Sequence, residues 1–113
     1  MAQSAQEGRM MRRDRRQTWT PPPSGSADVK VPDSLHGLIE ILAEEAHNNW
    51  ARQRLSEGWR YGRRLSRRRR THPLLVPYSA LTHAQQEADR VVAMGSVKVI
   101  LRHGYTLQEP ADR

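Results

Sequence analysis

The sequence has no cysteine and no phenylalanine, only two lysines, and no long apolar run. Without thiols there are no disulfides and no thiolate metal sites, so packing alone must hold the fold. No stretch approaches the roughly 20 consecutive apolar residues needed to span a bilayer, and the N-terminus lacks the apolar run of a secretion signal. The expected location is therefore cytoplasmic, with no membrane partner. Three tryptophans and three tyrosines are the only aromatics in 113 residues, and hydrophobic residues make up 36%. With a mean hydropathy of −0.85, that is material for one small core. There is no glycine-rich phosphate loop, no nucleophile elbow and no carboxylate pair set by a motif, which predicts a non-enzymatic protein without a cofactor. His36 with Glu40, and His83 with Glu87, stand four residues apart, but two ligands on one helix make an incomplete site, so no metal is expected.

What the chain does have is arginine: seventeen against two lysines, for a formal charge of +7. This balance favours anionic partners without naming one. The densest run, "RRLSRRRR", holds Arg63, Arg64 and Arg67 to Arg70. It reads either as a solvated loop or as a phosphate-binding surface with nonspecific attraction for nucleic acid. "RRLS" also fits the pattern of arginines before a phosphorylatable serine, here Ser66.

Composition divides the chain into a disordered basic, proline-rich arm (1–26), an ordered domain (27–108) and a short tail (109–113). Trp19 stands out in the arm as a ring expected to dock on the domain or on a partner. From Pro32, the residues Leu35, Leu38, Ile39, Leu42, Ala46 and Trp50 recur three or four apart and predict a helix from about Ser34 to Glu57, roughly 36 Å long. Asp33 or Ser34 would cap its start, and Gly58 would occupy the first position beyond its end. An extended apolar stretch around Leu74 to Tyr78 follows the basic loop. A second helix is predicted from Thr82, where "THAQ" is a capping box, through Ala88, Val91, Val92, Val99 and Ile100 to Gly104. Gly95 within it suggests close packing against a neighbour.

"NNWARQRLSEGWRYG" (48–62) concentrates two tryptophans, a tyrosine and three arginines. Helical spacing puts His47, Trp50 and Arg54 on one flank, and a left-handed Gly58 would turn Trp59 back toward Arg54 for a ring–guanidinium stack. Tyr61 follows in extended chain. These rings read as a core or as a stacking platform, and Arg54 as a cation in want of an anion.

The run "LIEILAEEAHNNWARQRLSEGWRYG", then "HPLLVPY", "ADR" and "LRHGYTL", resembles the ryanodine receptor repeat, or RyR domain, over roughly Asp28 to Leu107. The specific part is His47, Trp50, Ala51, Arg54, Gly58, Trp59, Tyr61 and Gly62. The chain departs from the pattern in carrying Gln85, Gln86 and Gly95 where acidic or lysine residues are usual. The resemblance is to the single-copy prokaryotic or phage type. It implies a mainly α fold of two principal helices with short extended or β segments, and pairing of repeats, hence a homo-oligomer, with a homodimer as its simplest form. It also implies a ligand-binding module for a nucleotide-derived anionic molecule, with His47, Trp50, Arg54, Trp59, Tyr61, His72, Tyr78 and Arg90 as its site. The alternative is a protein interaction or assembly module without a small-molecule ligand. For Asp89 and Arg90 a structural role competes with ligand contact.

Overall fold

The computed structural model describes residues 18–111. Most of the basic arm (1–17) and the last two residues of the tail lie outside it. Pro32 opens a 3-10 turn, Asp33–Leu35, which runs directly into α1, His36–Ser56. Neither Asp33 nor Ser34 caps this helix: no side-chain cap hydrogen bond forms at its N-cap, Leu35, because the 3-10 turn supplies the first bonds from backbone. The C-terminus follows the expected pattern. Gly58 has φ +87°, Gly58 N–H donates to Leu55 O at 3.0 Å and Trp59 N–H to Arg54 O at 3.0 Å, which is the Schellman arrangement.

The second helix, α2, spans His83–Arg102 and starts with the capping box complete: Gln85 N–H donates to Thr82 Oγ1 at 3.2 Å and Thr82 N–H to Gln85 Oε1 at 2.9 Å. It ends as α1 does, with Gly104 at φ +90° and Tyr105 N–H donating to Ile100 O at 3.3 Å. Between the helices lie two two-residue strands, β1 (Arg60–Tyr61) and β2 (Thr71–His72), paired in parallel with Arg60 opposite Thr71. Thr71 also pairs with Ser66 in the antiparallel sense, so the arginine loop is tied to the strand pair at its base. The expected extended stretch gives way at Tyr78, which begins a 3-10 turn, Tyr78–Ala80.

The core lies between α1 and α2. Leu35, Ile39 and Ala43 come from one side, Ala93 and Val97 from the other, and Tyr78 and Leu81 close it, with Val31, Leu74, Val76, Met94 and Leu101 packed around them. This corrects the predicted stripes. The buried line on α1 continues to His47, whereas Leu38 and Leu42 sit exposed beside it, and Val91, Val92, Val99 and Ile100 on α2 are exposed. Both helices carry apolar residues on more than one face, so counting them by periodicity selected the fuller stripe rather than the packed one. Gly95 is likewise exposed, and a Cβ built there would meet nothing within 4 Å.

Ser26 is buried, and Lys98 Nζ donates to Ala27 O at 3.2 Å, so residues 26–27 run against α2. Trp19 remains 62% exposed rather than docked in the core. Among the described residues, no helix is long and apolar enough to cross a membrane.

Candidate functional site

His47 is the inner end of an aromatic chain. It is 5% exposed, and its Nε2 hydrogen bonds to Val76 O at 2.7 Å. A carbonyl can only accept, so this nitrogen carries the proton. Trp50, three residues on, stacks on His47 with ring centroids 5.7 Å apart and 30° between planes. Its edge meets His72 of β2 at 4.8 Å and 76°. His72 is oriented by its own loop, since Nδ1 accepts from Leu74 N–H at 3.1 Å. The Schellman turn delivers Trp59 to the far side of His72, at 6.1 Å. His47, Trp50, His72 and Trp59 thus form one cluster, assembled from the end of α1 and from β2.

Arg54 borders this cluster but is engaged differently from the expectation. The ring contact of Trp59 is with His72, and Arg54 Nη2 pairs with Glu57 Oε1 at 2.9 Å. Its Nε is buried without a hydrogen-bond partner among the described residues, a costly state for a guanidinium N–H. Tyr61, on β1, is 55% exposed and stands beside the arginine loop.

Tyr78 and Arg90 belong to a second network, which pins α1 to α2. Arg90 grips Glu40 in a two-point contact, Nε to Oε2 at 2.6 Å and Nη2 to Oε1 at 3.2 Å, and also reaches Glu87 at 3.2 Å and Gln86 at 3.2 Å. Tyr78 OH donates to Glu40 Oε1 at 3.0 Å, and Gln86 Nε2 donates to Tyr78 O at 2.9 Å. The hydrogen bond from Arg90 holds the Glu40 carboxyl below its ordinary range, and the same bond raises the guanidinium of Arg90. Burial, then the hydrogen bond to Glu40, pushes the Tyr78 phenol up. The two networks touch where the rings of His47 and Tyr78 lie 6.2 Å apart.

The Glu40 contact has a pH signature. A carboxyl whose folded pKa is depressed contributes stability above its unfolded pKa, and loses it as pH falls through the folded one. The melting temperature of the parent is expected to fall more steeply than that of Glu40→Gln between about pH 5 and pH 2. Parallel scanning calorimetry of the two proteins across that range measures the difference.

On the outer side of Trp50 a groove of about 260 Å³ is lined by His47, Trp50, Leu74, Leu81, Gln85, Ala88 and Asp89. Gln85 and Ala88 carry no site expectation from sequence, and Asp89, for which a structural role competes with ligand contact, lines the groove. Asp89 is adjacent to Arg90 in the chain, yet it lines the groove while Arg90 turns to Glu40. A consecutive acidic and basic pair suggests a single function, and helical rotation of about 100° per residue divides it.

These features define a mainly helical domain in which two packed helices and a short parallel strand pair hold a tryptophan-lined cleft. The family model for the RyR domain matches residues 19–109, and the chain belongs to that family.

Proposed function

We propose that this RyR domain is a ligand-binding sensor module that takes the flat ring of a nucleotide-derived anion in the groove beside Trp50. The groove itself carries the reading: its walls are mostly apolar, with one tryptophan ring and few polar groups, as in small-molecule sites. At about 260 Å³ it suits one ring system, with the rest of the ligand outside. Asp89 offers acceptors to an exocyclic amine of the kind adenine carries, and Gln85, whose Oε1 is held by Thr82 N–H, offers its Nε2 donor to a ring nitrogen. Arg54, one helical turn beyond Trp50, offers donors to a phosphate, since an ion pair as exposed as Arg54–Glu57 is weak enough to exchange. Stacking contributes about 1 to 3 kcal/mol and a charge-assisted bond about 1.5 to 3. After association costs this supports about micromolar affinity at best.

Calorimetry of the full chain against adenine mono-, di- and triphosphates and cyclic nucleotides tests the proposal. Saturable heat is expected with at least one of them. Asp89→Asn and Arg54→Gln are each expected to weaken it about tenfold, or 1.4 kcal/mol, without lowering the melting temperature. A second reading, assembly through apolar faces, is favoured by Ile41, Val92 and Val99, which are 65%, 62% and 47% exposed. That reading predicts silent titrations throughout and a dimer in light scattering.

A further inference from the structure

We propose that the arginine loop between β1 and β2, together with Tyr61, is a binding site for single-stranded nucleic acid. The site is separate from the Trp50 groove. Two structural observations take it beyond a charged run. First, the loop has a fixed backbone. Ser66 and Thr71 exchange both of their backbone hydrogen bonds, each at 3.0 Å. Thr71 Oγ1 donates to Arg64 O at 2.8 Å, Arg69 N–H donates to Ser66 Oγ at 3.1 Å, and Arg70 takes the left-handed conformation at φ 54°. A solvated charge run would have no such framework.

Second, the cations are free. The ion pairs among the described residues engage Arg52, Arg54 and Arg90, and Arg70 donates to Glu57 O at 2.7 Å. Arg60, Arg63, Arg64, Arg67, Arg68 and Arg69 are paired with no carboxylate among those residues. Like charges fixed this closely repel one another, and a polyanion relieves the repulsion while releasing its own counterions. Arg63, Arg64 and Arg69 line one open groove with Leu65, Ser66 and Thr71.

The choice of nucleic acid over other polyanions rests on side-chain chemistry. Guanidinium groups bind phosphate oxygens in two-point contacts and stack on bases, which ammonium groups do not. Exposed Tyr61 sits at the loop's edge, where a base can stack once a phosphate has docked. A base splayed onto a tyrosine is available from a single strand and not from an intact duplex.

The test is fluorescence anisotropy of the full chain with an end-labelled oligodeoxythymidylate of about twelve nucleotides, within the ~4–16 nucleotide site sizes of single-strand binders, at several salt concentrations. The triple variant Arg67→Ala, Arg68→Ala, Arg69→Ala is expected to weaken binding at least about tenfold and to reduce the salt slope by about 2, at about 0.7 per lost phosphate contact. Tyr61→Leu is expected to weaken binding about fivefold with the slope unchanged, as for loss of one stacked base. The matched control, Arg12→Ala, Arg13→Ala, Arg15→Ala, should have the smaller effect, and melting temperatures identify any variant that fails to fold. Unchanged affinity in the loop triple would overturn the proposal, as would a larger loss in the arm triple. Polyglutamate competing as well as the oligonucleotide, with Tyr61→Leu neutral, would replace it with an acidic protein partner. Phosphatidylserine vesicles that bind through the loop while the oligonucleotide does not would replace it with a membrane surface.

Discussion

Replacing Gly62 with alanine lowers the stability of the domain by about 2 to 3 kcal/mol, the upper part of the range for forcing an extra methyl into packed structure. A Cβ at position 62 would lie 2.5 Å from Thr71 Cβ, 2.9 Å from Cγ2 and 3.1 Å from Oγ1. The nearest of these atoms is bonded to the backbone, so no rotamer change removes the clash. β2 must move, and Thr71 is the residue that pairs with both Arg60 and Ser66. The strand pair and the base of the arginine loop therefore loosen together. Gly95→Ala gives the opposite sign. There the added Cβ meets nothing within 4 Å in the middle of a helix, and alanine is expected to stabilise by about 0.5 to 1 kcal/mol. Denaturant melts of the two variants side by side provide the comparison. Equal effects at both positions would show that the close approach at Gly62 is not what sets its cost.

His47→Leu is expected to cost about 2 to 3 kcal/mol and to lower the melting temperature by roughly 10–20 °C. Leucine keeps the bulk but leaves the Val76 carbonyl without its 2.7 Å donor in a site that is almost closed to water. It also removes the ring on which Trp50 stacks and that faces Tyr78. His47→Gln, which retains an N–H at about the right reach, should recover part of the loss. Thermal melts in which glutamine and leucine are equally damaging would assign the role of His47 to packing rather than to the hydrogen bond. His47 thus acts as the inner support of the cleft, holding Trp50 from beneath while itself lining the groove.

What could be read from the chain was mostly what is local. The Gly58–Trp59 cap and the Thr82–Gln85 box each close within a few residues, and both formed as the spacing implied. The proximity of His47 to Trp50 has the same origin. The family pattern added His72, which sequence spacing alone could not bring to Trp50. The remainder depended on tertiary contact. Glu40 and Arg90 are fifty residues apart, and no periodicity links them. The role of Gly62 is set across a strand pair only two residues long, too short to leave an alternating pattern, so the family run marks the position while the Thr71 contact that explains it is tertiary. The expectation that Arg54 lacks an anion overlooks its own helix end, where Glu57 pairs with it. Glu57, at the favourable i, i+3 spacing, was the available signal. Gln85 is legible in sequence only as the capping-box residue and Asp89 only as half of an Asp-Arg pair, since their place in the groove depends on how α2 packs against Trp50.

The central claim, that the cleft beside Trp50 binds a flat nucleotide ring, is tested most directly by the indole N–H resonances of the three tryptophans during titration with adenine nucleotides. Trp50 lines the groove, Trp59 lies beyond His72, and Trp19 is exposed at a distance in sequence. The account predicts that the Trp50 resonance moves and saturates, that Trp59 moves less, that Trp19 stays in place, and that Asp89→Asn shifts the midpoint about tenfold, equivalent to 1.4 kcal/mol. Three resonances unmoved up to millimolar nucleotide, in a protein whose spectrum reports a folded domain, would contradict it.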